Sequence, residues 1–138
     1  MYHSCFLLQI SSLFFITNII SGVWYQQYIY SLLFSFLTMT SIIFHSMPNL
    51  YTNIIDKCAI GSVVCYGGYV LYSKINSIEV SVIQVSLIVS SFLMVIVLYF
   101  YGYCRNQYCY DVDKCVGDKY HCLLHVISSL GHHGILLL

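Results

Sequence analysis

The sequence predicts an all-α membrane protein, a polytopic bundle of about five transmembrane helices. Hydrophobic residues make up 59% of the 138 residues and charged residues only 7%, and the mean hydropathy is +0.82. Because a soluble domain carries about 25% charged residues, this chain has too few polar side chains to cover a globular surface. Its apolar residues also form runs close to the roughly 20 residues that cross the hydrocarbon core of a bilayer.

Five apolar runs follow one another without an internal repeat or a Gly/Pro-rich linker between them, so we predict one domain covering residues 1–138. The start of the chain lacks the positive region and the cleavage site of a secretory signal, and we expect it to form a retained first span. The third run contains Gly61, Gly67 and Gly68, small residues that allow neighbouring helices to approach closely. The predicted spans cover residues 5–22, 28–46, 53–73, 80–103 and 119–138.

The orientation in the membrane follows from the basic residues near the span ends. Five spans place the second and fourth loops on one side of the bilayer, together with Lys57, Arg105, Lys114 and Lys119, whereas Lys74 lies on the other side. The positive-inside rule predicts that the first side, with the N-terminus, is cytoplasmic. We expect an integral, multi-pass membrane protein, located in a eukaryote in the endomembrane system (ER or Golgi) or in the plasma membrane.

Charge and cysteine content exclude some classes of protein. The formal net charge is zero and there is no basic run, so we expect no nucleic-acid partner. The seven cysteines lack the paired CxxC spacing of a zinc ribbon. Cys104, Cys109 and Cys115 fall in one loop, where free thiols are favoured over a disulfide that would require a lumenal location.

Polar residues recur at fixed positions in the apolar runs. Ser41 and His45 lie four residues apart at the end of the second run, Asp56 opens the third, and His121 and His125 repeat the spacing at the start of the fifth. Residues four apart share a helix face, and five spans bring these three run ends to the same membrane face. Ionisable groups inside membrane helices are costly and usually functional, so we predict one buried metal site.

The residue types at this site suit zinc. Three neutral imidazoles with a fourth position open to water form a common catalytic zinc site, so we predict His45, His121 and His125 as ligands of Zn²⁺. His132 lies deeper on the same helix face. It is either a fourth metal ligand, a hydrogen-bond donor that supports a ligand, or the partner in a hydrogen bond between helices. Asp56 is either a general base, a group that orients a ligand, or an acid favoured by the helix dipole.

These residues resemble the motifs of a known family. The segment SIIFH from Ser41 to His45, the step to Asp56, and the segment HCLLH from His121 to His125 resemble the alkaline ceramidase family. They resemble more loosely the wider CREST superfamily, which includes progestin and adipoQ receptors, hemolysin III-like proteins and GPI-remodelling hydrolases. In that group the three histidines bind zinc, and the known activities hydrolyse lipid amides or esters. Family members have seven spans, and here one span at residues 80–103 stands where three are expected.

The sequence and the resemblance together predict a zinc-dependent, ceramidase-like intramembrane hydrolase of a lipid amide or ester. In that reading Asp56 accepts a proton from the attacking water and Ser41 donates a hydrogen bond to the developing oxyanion or to the water. A membrane lipid is the expected partner, and a homo-oligomer is compatible with the sequence. Two alternatives stay open: a non-catalytic zinc-containing receptor, scaffold or membrane-remodelling factor, and a b-type cytochrome. Histidines four apart on one helix disfavour bis-histidine haem, whose ligands face each other from opposed helices.

Overall fold

The computed structural model describes residues 2–77 and 79–138, with side chains described from Phe6 onward. The described residues form helices joined by short turns and include no β-strand, which confirms the predicted all-α class. Within the described ranges, four helical segments are long and apolar enough to cross a membrane, namely Phe6–Trp24, Tyr28–Ser46, Leu50–Ser77 and Val82–Tyr110.

The elements follow the chain in a simple order. The first segment is divided by a turn at Leu13 and Phe14, and the fourth ends in a π-helical turn and a short 3₁₀ helix. The helices are α1 (Tyr2–Ser12), α2 (Phe15–Trp24), α3 (Tyr28–Ser46), α4 (Leu50–Ser77), α5 (Val82–Ile96), the π-helical turn Val97–Tyr101, α6 (Gly102–Arg105), the 3₁₀ helix Tyr108–Tyr110 and α7 (Lys114–Leu137).

Helices α4 and α7 begin before the apolar runs that predicted them, because polar side chains cap their N-termini. Asn49 Oδ1 accepts a hydrogen bond from the Thr52 backbone N–H at 3.0 Å. Asp113 Oδ1 accepts one from the Cys115 backbone N–H at 2.9 Å. Such caps satisfy backbone donors that have no partner within the helix, so both helices start inside a polar loop.

Helix α7 lies at the centre of the bundle, in contact with α1, α2, α4 and α5. It is not among the four segments that are apolar enough to cross a membrane, because it carries a row of polar side chains. Ser129 Oγ donates to Asn18 Oδ1 at 2.5 Å, and Asn18 Nδ2 donates to the Ser129 carbonyl at 3.0 Å. Lipid cannot satisfy such groups, so they pair with other helices inside the bundle. That α7 itself forms a fifth span stays a prediction.

The two ends of the bundle are held differently. At one end, Lys74 Nζ near the end of α4 donates to the carbonyls of Ile135 and Leu136 at 3.0 and 2.9 Å. At the other end, side chains near the end of α3 contact Asp56 of α4 and His121 and His125 of α7. Between them lies a core of buried apolar side chains from all the long helices: Phe15, Tyr30, Phe34, Leu37, Ala59, Val63, Val70, Ile88, Ile135 and Leu136.

Candidate metal centre

Three histidines meet where side chains at the end of α3 reach those of the N-terminal half of α7. One nitrogen from each of His45, His121 and His125 lies within 4.8 Å of the other two. The ring centroids are 5.1 Å apart for His45 and His121, 5.6 Å for His45 and His125, and 4.9 Å for His121 and His125. His45 and His125 are buried and His121 is half-buried. The structure thus brings together the three histidines that the sequence proposed, as a group that could hold a metal ion.

The donor set and its spacing fit a tetrahedral ion. Nitrogens bound to one zinc ion at about 2.0–2.1 Å lie about 3.4 Å from one another. Small inward movements of the rings from separations of 4.8 Å or less would therefore close the trio on an ion. Each of the three imidazoles is neutral when it binds a metal ion. The charge of a divalent cation would therefore have to be balanced by other groups nearby.

A buried carboxylate of α4, that of Asp56, is bound to the residue one helical turn before His45 on α3. Asp56 Oδ1 accepts a hydrogen bond from Ser41 Oγ at 2.8 Å, and Thr40 Oγ1 lies 3.3 Å from it and 3.1 Å from the Leu37 carbonyl. Its Oδ2 lies 3.6 Å from Lys57 Nζ, and the residue is only 2% exposed. A buried charge needs such partners. Ser41, which holds this carboxylate, precedes His45 by one turn on the buried face of α3.

The hydroxyl of Ser41 has a single proton, and Asp56 receives it in this structure. In this arrangement Ser41 orients the carboxylate. Donation from Ser41 to an oxyanion would require its hydroxyl to rotate away from Asp56, so that role stays a prediction.

Lys57 connects the carboxylate to an aromatic surface. Its Nζ lies 5.5 Å from the ring centroid of Phe44 and 5.1 Å from that of Tyr99, within the range of cation–π attraction. Tyr99 belongs to the π-helical turn Val97–Tyr101, a type of turn that is frequent at functional sites. No spacing in this apolar, aromatic stretch marks a π-helical turn, so sequence reasoning missed this contact.

Ser11 of α1 also reaches the metal centre and was not predicted. Its Oγ lies 2.8 Å from His125 Nδ1, and both residues are buried. Phe15, at the start of α2, packs its ring against the same imidazole with a centroid distance of 5.2 Å. The adjacent serines Ser11 and Ser12 in an otherwise apolar run were the available signal.

His132 lies outside the trio. Its Nδ1 pairs with the Tyr30 hydroxyl at 2.5 Å, and its ring packs against Phe34 and Phe92 with centroid distances of 5.1 and 5.0 Å. Of the alternatives for His132, the geometry favours the interhelical hydrogen bond. His133 is separate again, with its Nε2 2.9 Å from Thr17 Oγ1.

Comparison with known proteins returned no match among protein-family models, curated proteins or solved structures.

Proposed function

We propose that this protein is a membrane-embedded, zinc-dependent hydrolase of a lipid amide or ester. The observation that carries the proposal is the combination of the buried trio His45, His121 and His125 with the buried carboxylate of Asp56, which is hydrogen-bonded to Ser41, one helical turn before His45. Metal-assisted hydrolysis uses these two components, a metal with an open position and a nearby proton acceptor.

Zinc is the ion that we assign to the trio, because three imidazoles with a fourth, open position are a common catalytic zinc set. When bound, zinc supplies Lewis-acid polarisation of a carbonyl and acidifies water toward neutral pH. The three rings contact one another and leave no gap for a porphyrin, which argues against the b-type cytochrome alternative.

The protein's own residues supply proton transfer and positioning. Asp56 accepts the proton of the attacking water, a role that contributes typically 10²–10⁴-fold to rate. Ser41 and Thr40 hold its Oδ1, and Lys57 faces its Oδ2, so the carboxylate keeps one orientation. This fixed orientation suits a group that must meet a water molecule at a defined position.

The substrate class follows from the location of the site. His45 comes from α3, which is apolar enough to cross a membrane. His121 and His125 come from α7, which packs against other helices that are apolar enough to do so. A substrate that reaches such a site laterally is itself a membrane lipid, with an amide or ester as the scissile bond.

A non-catalytic zinc protein is the second candidate, and the low exposure of His45 and His125, 7% and 4%, favours it. Closed sites with protein ligands are typical of structural zinc. In that case the ion would join α3 to α7 without reacting.

Metal analysis and a hydrolysis assay on detergent-purified protein test both candidates. We expect about one zinc per chain, lost in His45→Ala, His121→Ala and His125→Ala but kept in the control His133→Ala. Asp56→Asn should keep zinc and lower hydrolysis of a ceramide, phospholipid or GPI-type lipid by roughly 10²–10⁴-fold.

The outcomes separate the two candidates. Wild-type protein that holds zinc and hydrolyses none of these lipids would support the structural role and contradict the hydrolase. Protein without zinc, or with zinc that survives all three alanine substitutions, would overturn both.

A further inference from the structure

The hydrogen bonds of Ser11 decide which nitrogen of His125 is available to a metal. Ser11 Oγ lies 2.9 Å from the Leu8 carbonyl oxygen and 2.8 Å from His125 Nδ1. We infer that Ser11 is a positioning residue of the metal centre, which holds His125 in the tautomer that presents Nε2 to the ion. This inference rests on the proposed metal site and adds α1 to the elements that build it.

The proton count at Ser11 supports this tautomer. Both contacts are hydrogen bonds only when the single hydroxyl proton of Ser11 goes to Leu8 O, which can only accept, and a lone pair of Oγ faces His125. His125 Nδ1 then carries the ring proton and donates it to Ser11. Because a neutral imidazole has one N–H, the lone pair of His125 lies on Nε2, where a metal can bind it.

The surroundings of His125 make this contact hard to replace. Ser11 is 3% exposed and His125 is 4% exposed, so water has little access to Nδ1 if the hydroxyl is removed. The ring of Phe15 covers another part of the imidazole. Partners of this kind on ligating histidines fix the ring orientation, and their loss costs about 10–100-fold in metal affinity.

The neighbouring serine provides a matched control. Ser12 is fully buried, and its Oγ also donates to the Leu8 carbonyl at 2.9 Å. The two serines thus share an acceptor, a helix and a degree of burial, but the hydrogen bond to His125 belongs to Ser11.

The test measures zinc affinity of the full chain in detergent by competition with a chelator. We expect Ser11→Ala to weaken zinc binding by about 10–100-fold, Ser12→Ala to leave it unchanged, and Ser11→Thr to restore it by returning the hydroxyl. Cobalt-substituted Ser11→Ala should show altered visible absorption bands, since a ring free to turn changes the ligand field, whereas Ser12→Ala should match wild type. Melting of the metal-free variants measures any separate loss of folding stability.

The possible results are distinguishable. Equal weakening by Ser11→Ala and Ser12→Ala, with equal melting shifts, would mean that Ser11 acts only through helix packing, and the inference would be wrong. Zinc bound in a Ser11-dependent manner without lipid hydrolysis would support this inference while contradicting the hydrolase. Wild-type protein that binds neither zinc nor cobalt would overturn the inference together with the metal site.

Discussion

Replacing Gly67 with alanine tests the close approach of α4 to the centre of the bundle. A Cβ atom at Gly67 would lie 2.9 Å from the Tyr30 hydroxyl oxygen, 2.9 Å from His132 Cε1 and 3.0 Å from His132 Nδ1. Tyr30 and His132 are each only 1% exposed, and their side chains pair with each other. Neither can move away from the new methyl group without disturbing this pair.

The expected loss follows from three contributions. Inserting a methyl group into a well-packed core costs about 1–3 kcal/mol. If the clash weakens the buried hydrogen bond between Tyr30 and His132, its loss costs about 1–3 kcal/mol. Alanine returns up to about 1 kcal/mol through its higher helix propensity. We therefore expect Gly67→Ala to lower the free energy of unfolding by about 1–5 kcal/mol.

Gly68 provides the control, because a Cβ there meets no atom within 4 Å. Unfolding of both variants in the same detergent should show Gly67→Ala destabilised and Gly68→Ala unchanged or up to about 1 kcal/mol more stable. The added Tyr30→Phe substitution should reduce the effect of Gly67→Ala, because it removes one of the clashing atoms. Equal stability of the two alanine variants would refute the packing described for α4, α3 and α7.

Two further predictions concern the ends of the bundle. Lys74→Met should lower the free energy of unfolding by about 1 kcal/mol with zinc content unchanged, because Lys74 donates to the carbonyls of Ile135 and Leu136, at the opposite end of α7 from His121 and His125. A loss of zinc would contradict this separation. Cys104 and Cys115 are exposed. With their loop on the cytoplasmic side, a membrane-impermeant thiol reagent should label them in sealed ER vesicles but not in intact cells. The opposite labelling pattern would show that the predicted orientation is wrong.

The fold class was predictable from the sequence because crossing a membrane depends mainly on composition and on the length of apolar runs. The histidine trio was predictable for a related reason. Alternation of spans assigns each helix end to one side of the bilayer, so His45, His121 and His125 could be placed together without knowing how the helices pack.

Contacts between particular helix faces could not be predicted in this way. Thr38 shares a helix face with Ser41, yet its hydroxyl donates to the Phe34 carbonyl of its own helix at 2.7 Å. Thr40 Oγ1, off that face, lies 3.3 Å from Asp56 Oδ1 as well as 3.1 Å from the Leu37 carbonyl of its own helix. Helical periodicity shows which residues share a face, but the rotation of a helix about its axis depends on how all its neighbours pack. For the same reason, the contact of Ser11 with the trio could not be predicted.

The position of α7 determines which experiment can distinguish a catalytic metal site from a structural one. Its polar side chains pair with Ser11, Asn18 and Tyr30, which lie on the first three helices, so the site exists only after both ends of the chain have packed together. An ion held by residues of α3 and α7 stabilises that packing whether or not it reacts, because it binds the folded state alone. Loss of stability on metal removal is therefore expected for a hydrolase and for a structural zinc protein alike. Asp56 is the discriminating residue, since its carboxylate is not among the trio and only a catalytic site requires it to accept a proton.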